Sequence, residues 1–209
     1  MAPTSEPPHT RILVLFAHPA LQKSRVNRQL AVAAREVDGI TFHDLYEAYP
    51  DFDVDVPREQ ALLAAHDLVV LQHPLYWYSM PPLLKQWLDL VLEHGWAYGH
   101  GGTALHGKKL LCALTTGGRE SAYRKDGYNR FTLRELLAPV EQTAVLCGMA
   151  FVAPFVVHGT HALADGDIPP HAAQYRRLLT ALRDGKLALD AARGLSRLNA
   201  DLDALVVPD

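Results

Sequence analysis

The stretch "DLVVLQHPLYWYSMPPLLKQWLDLVLEHG", residues 67–95, changes period twice along its length. Asp67 to Gln72 is a short apolar run rich in branched residues, the pattern of a strand buried on both faces. Leu83, Leu84, Trp87, Leu88, Val91 and Leu92 then recur at helical spacing over residues 81–95, behind Pro81-Pro82, and a first helical turn tolerates proline. A strand leading into a helix is half of a parallel crossover unit. Between the two stands Tyr76-Trp77-Tyr78, which neither pattern needs. Neighbouring side chains on an extended chain point to opposite faces, so these rings cannot all enter one core. They read either as core filling or as a flat, water-poor wall for a planar ring.

The same alternation continues on both sides. "RILVLFA" (11–17) reads as a strand before a helix over Ser24 to Val37, and "ITFHDL" (40–45) as a strand before a helix over Arg58 to Ala65. Lys108 to Thr116 gives a fourth strand, Phe131 to Cys147 a helix that must absorb Pro139, "MAFVAPFVV" (149–157) a fifth strand, and Ile168 to Arg183 a final helix. The expected fold class is α/β, a doubly wound five-stranded parallel sheet with helices on both faces and right-handed crossovers. Residues 11–185 are expected to form the domain, 1–10 a flexible N-terminal tail, and 186–209 an extension, amphipathic only in patches, to which the pattern assigns no role.

Composition narrows the function. A chain of 209 residues, about half of them apolar, can bury one sizeable core and is short for two. A formal charge of -3 gives no support to a nucleic-acid partner or to an anionic membrane surface. The two cysteines, Cys112 and Cys147, stand in apolar runs and form no C-x-x-C pair, which fits a reducing, cytoplasmic setting. "MAPTSEPPHT" does not read as a convincing signal peptide, and no apolar run free of charges is long enough to cross a bilayer.

Sheets of this class bind ligands at the carboxyl ends of their strands. Three unusual loops fall on that rim: "AHPALQKSRVN" after the first strand, "HPLYWYSMPP" after the third and "TTGGRESAY" after the fourth. The first lacks G-x-G-x-x-G. It has instead Ser24 at the mouth of a helix, the charge of Arg25 and the amide of Asn27, beside first-turn N–H groups that suit a phosphate. Ser24 reads equally as an ordinary N-cap. Leu75, Tyr76, Trp77 and Tyr78 supply the wall for a planar ring, and the glycines of "TTGG" let the backbone approach its polar edge.

The stretches "AHP....SRVN", "QHPLYWYSMPPLLKQWLD", "HGWAYGHGGTALHGKKL" and "TTGG" resemble the flavodoxin-like NAD(P)H:quinone oxidoreductases, most of all the ancillary oxidoreductase of the bacterial glutathione-gated potassium efflux system. The resemblance runs from about Arg11 to Arg183. It implies FMN, or FAD as in larger members, held by His18, Ser24, Arg25, Val26, Asn27, Leu75, Tyr76, Trp77, Tyr78, Thr115, Thr116, Gly117 and Gly118. NADH or NADPH would donate electrons and a quinone or similar small acceptor would receive them. It further implies a homodimer, with "HGWAYGHGG" lining a neighbour's pocket, and a potassium antiporter as membrane partner for a chain otherwise cytoplasmic. Some members pair a tyrosine after TTGG with a histidine a few residues on. Tyr123 fits that tyrosine as a catalytic candidate, but "RKDGYNRF" after it holds no histidine.

Other signals are weaker. "GTALHGKK" imitates a phosphate-binding loop, but Lys109 replaces the Ser/Thr that would hold magnesium and a strand follows where a helix should. His158-Gly-Thr-His161 lacks companion ligands at metal spacing, so no metal is expected. "DFDVD" (51–55) lacks the glycine and distal Glu of a calcium loop and reads as a solvated loop. The expected activity is two-electron hydride transfer from NAD(P)H through a bound flavin to the acceptor in a ping-pong cycle. A regulatory flavin-binding subunit of the antiporter is the alternative from another class, and a one-electron carrier a third, disfavoured by the near-neutral charge.

Overall fold

The computed structural model describes residues 9–189, 191–192 and 194–207. Five strands, β1 (Ile12–Phe16), β2 (Ile40–Asp44), β3 (Leu68–Pro74), β4 (Lys109–Thr115) and β5 (Ala150–Val157), form one sheet in the order β2-β1-β3-β4-β5, every pairing parallel. Among the described residues the α-helices are α1 (Arg25–Arg35), α2 (Leu45–Ala48), α3 (Val56–Ala65), α4 (Pro82–Val91), α5 (Leu133–Leu136), α6 (Ala138–Leu146), α7 (Ile168–Arg183) and α8 (Leu202–Leu205).

β1 is apolar along its whole length, and β1 and β3 are buried throughout, because both faces of the sheet are covered there. In β1, Leu13 and Leu15 enter one core with Leu63, Leu84, Trp87 and Ala144 from α3, α4 and α6, while Ile12 and Val14 enter another with Leu30, Ala34, Leu178 and Leu182 from α1 and α7. Each buried Leu or Ile contributes about 1.5 to 3 kcal/mol by leaving water, so two such layers hold the sheet between them. One buried carboxylate in the first layer is fully partnered. The Glu59 carboxylate, fully buried, accepts from Tyr49 Oη at 2.5 Å and Trp87 Nε1 at 2.8 Å and pairs with His43 Nε2 at 2.9 Å. Burial pushes its pKa up, but those three partners outweigh the burial and hold it below the usual carboxylate range.

Several expected boundaries move, each for a local reason. The helix expected over Phe131 to Cys147 divides at Leu137, because Pro139 fits only in a first turn and α6 begins there, while Thr132 and Glu135 start α5 with a reciprocal capping box. Asp55, read as part of a solvated loop, caps α3 by accepting from Arg58 N at 3.1 Å, with Pro57 in the first turn. Asp44 ends β2 and caps the short α2, which the alternating pattern did not announce. The loop resembling a phosphate-binding loop is a turn, and its Lys108 Nζ donates to the carbonyls of Ala64 at 3.0 Å and His66 at 2.6 Å at the end of α3.

The tail expected over 1–10 lies outside the described residues except for His9 and Thr10, and Thr10 N donates to Arg183 O at 2.8 Å. The segment from Lys186 is built into the second core: Leu187, Ala192, Leu198, Leu202 and Leu205 are buried in it, and Leu187 bridges antiparallel to Val206. It covers the free edge of β5. Asn199 Oδ1 accepts from Val156 N at 2.9 Å and its Nδ2 donates to Val156 O at 2.8 Å, so a side-chain amide occupies a place that another strand would otherwise take.

Candidate functional site

Strand order reverses at β1, whose chain leaves first toward β2 and then returns across to β3, so the connections leaving the paired carboxyl ends of β1 and β3 run to opposite faces of the sheet. A cleft of about 740 Å³ opens there. Its walls come from the loops after β1, β3, β4 and β5. Of the residues singled out in the sequence, His18, Ser24, Arg25, Val26, Asn27, Leu75, Tyr76, Trp77, Tyr78, Thr115, Gly117, Gly118 and Tyr123 line it.

On the first wall, Ser24 is the N-cap of α1, its Oγ accepting from Asn27 N at 3.1 Å. The hydroxyl proton is not used in that bond and stays available to an acceptor in the cleft. Asn27 is nearly fully buried: Nδ2 donates to Thr115 Oγ1 at 2.8 Å, while its buried Oδ1 lacks a partner. His18 Nδ1 accepts from Ala20 N at 3.1 Å, which places the ring proton on Nε2, and burial lowers its pKa, so the ring is a neutral donor. Arg25 differs from its expected role. Its guanidinium is committed to Asp165 Oδ1 at 2.6 Å and to the carbonyls of Thr160 and Leu163 at 3.1 and 2.9 Å, so its charge is largely neutralised and it ties the first loop to the loop after β5.

The second wall is not the end of an extended strand. β3 stops at Pro74, and Tyr76 and Ser79 exchange two backbone bonds of 3.0 Å, closing a tight turn with Trp77 and Tyr78 at its corner. Both corner residues have positive φ, 48° and 65°, where side chains with a Cβ are strained. That backbone geometry carries the rings outward: Trp77 is 93% exposed, and neither it nor Tyr78 enters the core. Leu75 is buried beneath, and Tyr76 meets the His18 ring edge-on at 5.8 Å between centroids.

The third wall, Thr115 to Gly118, is laced to the loop after β5 by Thr116 N to Val157 O, Gly159 N to Gly118 O and Thr160 N to Thr116 O, all between 2.9 and 3.0 Å. Thr116 itself is buried behind the wall and does not reach the cleft. Its hydroxyl donates to Gly118 O at 2.9 Å and lies 2.9 Å from His158 Nδ1. A Cβ on Gly117 would stand 2.4 Å from His161 Nε2, so its absence lets that imidazole lie against the loop. Tyr123 lines the cleft with its ring 5.5 Å from that of His158, and burial raises its phenol pKa.

Lys23, Pro74, Thr160 and His161 also line the cleft, where the sequence reading did not place them. Thr160 and His161 lie in "VVHGTH" (156–161), whose sequence offers only a weak metal motif. Its position after the fifth strand, on the same rim as the other loops, was the signal that could have found them.

A family model described as a flavodoxin-like fold matches residues 10–179. A solved structure described as general stress protein 14 from Treponema denticola in complex with FMN is 41% identical over 82% of this chain and 99% of that one, with a TM-score of 0.78. An NADPH-quinone reductase from P. pentosaceus is 33% identical over 80% and 96%, TM-score 0.73. A protein described as a thermophilic tryptophan halogenase from Streptomycin violaceusniger is 44% identical over 80% and 97%, TM-score 0.78. Sheet order, cleft position and these matches agree, and the chain belongs to the flavodoxin-like fold family.

Proposed function

We propose that the chain is a flavin-dependent NAD(P)H:quinone oxidoreductase with FMN as its cofactor. The observation that carries the reading is the 740 Å³ cleft at the reversal of strand order, with a capped helix N-terminus at one end and an exposed aromatic corner and a glycine loop at the other. Its size lies within the range of about 300 to 1,000 Å³ usual for small-molecule sites. The residues fit the group. Ser24 Oγ and the first-turn N–H groups of α1 are donors for a phosphate. The orphaned Oδ1 of Asn27 is an acceptor awaiting a donor. The flat faces of Tyr76, Trp77 and Tyr78 and the backbone of Thr115 to Gly118 would hold a ring and bond its polar edge.

Bound there, FMN would supply hydride acceptance and donation. The chain's own part is to hold the ring, keep water from its buried face, and leave one face open so that donor and acceptor stack on it in turn. His18, a neutral Nε2–H donor, and Tyr123, a phenol kept protonated by burial, supply hydrogen bonds without adding charge. The FMN complex and the quinone reductase among the relatives support this reading. The test is the spectrum and mass of the copurifying cofactor, together with NAD(P)H oxidation on adding quinone. Parallel double-reciprocal lines support the shared face, and colourless protein indifferent to FMN and FAD overturns the site. Halide and tryptophan in the same assay examine the reaction named for the halogenase relative.

The family resemblance extends the proposal to a cytoplasmic homodimer in which residues 94–102 reach a neighbour's cleft, tested by light scattering, and to an antiporter partner, tested by pull-down with and without flavin.

A further inference from the structure

The C-terminal segment lies beyond the family match, which ends at residue 179, yet it meets the candidate site from behind. Arg197, 23% exposed at its side chain, places Nη1 2.7 Å from Glu120 Oε2. Glu120 opens the short 3-10 turn Glu120–Ala122, and Tyr123 N donates back to Glu120 O at 3.0 Å, so the ion pair grips the turn that carries Tyr123. Two residues along the segment, Asn199 clamps both backbone groups of Val156, and the strand therefore ends in a fixed place just before His158. Arg197, Glu120, Tyr123 and His158 share a small chamber of about 200 Å³ behind the main cleft.

We propose that residues 197–199 are a built-in brace of the candidate site and that Arg197 is a positioning residue, holding Tyr123 against His158 so that the phenol meets the cofactor in one orientation. This rests on the flavin reading above. Three contacts make the unit. The rings lie 5.5 Å apart, Thr116 Oγ1 is 2.9 Å from His158 Nδ1, and the same hydroxyl donates to Gly118 O. With the hydroxyl proton on Gly118 O, His158 must donate through Nδ1–H. A protonated ring would set a second cation beside Arg197. The charged and titratable groups that line the chamber with His158 are Glu120, Tyr123 and Arg124 from the turn and the residues after it, Arg134 from α5 and Arg197 from the brace. Burial first, and then Arg197, bring the His158 pKa down to about 4, with Glu120 opposing. The histidine that the segment after Tyr123 lacks is thus matched in space by one from the end of β5, kept neutral first by its burial and then by the cation of the brace.

The test follows imidazole and tyrosine NMR signals of flavin-free protein, alongside FMN affinity, for wild type, Arg197→Gln, Arg197→Lys and Glu120→Gln. In Arg197→Gln the His158 midpoint should rise by about one pH unit, because a neighbouring cation is lost while Glu120 remains. The Tyr123–His158 ring contacts should weaken, and FMN affinity should fall about three- to tenfold for the loss of one fixed hydrogen-bonding partner. Arg197→Lys, which keeps the charge, should restore the midpoint. Glu120→Gln, cut from the exposed side of the pair, should move the midpoint down, loosen the same ring contacts and serve if Arg197→Gln does not fold. An unmoved midpoint with intact ring contacts in both Arg197→Gln and Glu120→Gln overturns the brace. A moved midpoint with unchanged FMN affinity overturns its positioning role. Wild-type protein that binds no flavin overturns the proposed function and the positioning role together, and the His158 titration still shows separately whether the contact is real.

Discussion

Ser24 Oγ lies 3.1 Å from Asn27 N, so the residue proposed to meet a phosphate also caps α1. One substitution separates the two duties. Aspartate caps a helix about as well as serine and its charge suits the positive end of the helix, so Ser24→Asp should leave stability within about 0.5 kcal/mol of wild type. Toward a phosphate it removes a donor and adds like charge. Losing one hydrogen bond to a charged group costs about 1.5 to 3 kcal/mol, so FMN affinity should fall at least tenfold to a hundredfold, while riboflavin, which has no phosphate, is largely spared. Equal FMN affinity in a folded Ser24→Asp protein would place the phosphate elsewhere.

Trp77 sits at the aromatic corner with φ 48° and 93% of its surface exposed. Removing a core tryptophan costs about 3 to 5 kcal/mol, but here glycine relieves backbone strain and empties no core. Trp77→Gly should therefore change stability by no more than about 1 kcal/mol, with relief of the strain offset by the entropy of glycine in the unfolded chain. Flavin affinity should drop about three- to tenfold with the loss of one aromatic face. Urea midpoints and flavin fluorescence quenching report the two effects independently. A large fall in stability with normal flavin binding would show the ring to be structural.

The fold was legible because its signals are local. The apolar run of β1 and the helical spacing of Leu83, Leu84, Trp87 and Val91 each announce an element within a few residues, and a parallel sheet leaves little freedom in joining them. What was hidden depends on contacts across the chain. Nothing near Arg25 reveals that Asp165 will neutralise it, and nothing near Tyr123 points to His158. The corner at Trp77 and Tyr78 was hidden for another reason. Aromatic residues are poor turn formers, so a turn that forces positive φ on them runs against the local rule that a reader applies. Asn199, in a segment without clear periodicity, shows its purpose only beside the edge of β5.

Glu59 tests the stability of the layer away from the cleft. Glu59→Ala strands the Tyr49 hydroxyl, the Trp87 N–H and one nitrogen of His43 without their buried acceptor. Each buried group left without its hydrogen-bond partner costs about 1 to 3 kcal/mol, so the three together should destabilise the protein by at least about 3 kcal/mol, and the urea midpoint should fall accordingly. Glu59 is not among the residues lining the cleft, so protein that stays folded should keep its flavin affinity. A parallel loss of affinity at temperatures where the variant is fully folded would show that α4 transmits the change to the aromatic corner.

His73 gives the chain a defined weakness toward acid. Its Nδ1–H donates to Pro74 O at 2.9 Å, its Nε2 is buried without a partner, and burial brings its pKa down from 6.5 to about 4. The folded state thus keeps this ring neutral where the unfolded chain would protonate it. The sign follows from linkage: the contribution is fully present above pH 6.5 and is lost as pH falls toward about 4, since the unfolded state takes up the proton first. Between about pH 7.5 and about pH 5 the loss from this one group is about 2 kcal/mol. His158 and His18, whose pKa values are also lowered by burial, act in the same direction. His73→Phe fills the site with a ring that does not titrate. Urea unfolding of both proteins at the two pH values should show the wild type losing more stability on acidification, with the difference shrinking by about 2 kcal/mol in the variant. The same acid sensitivity in both would mean that His73 is charged in the folded protein or does not govern the transition.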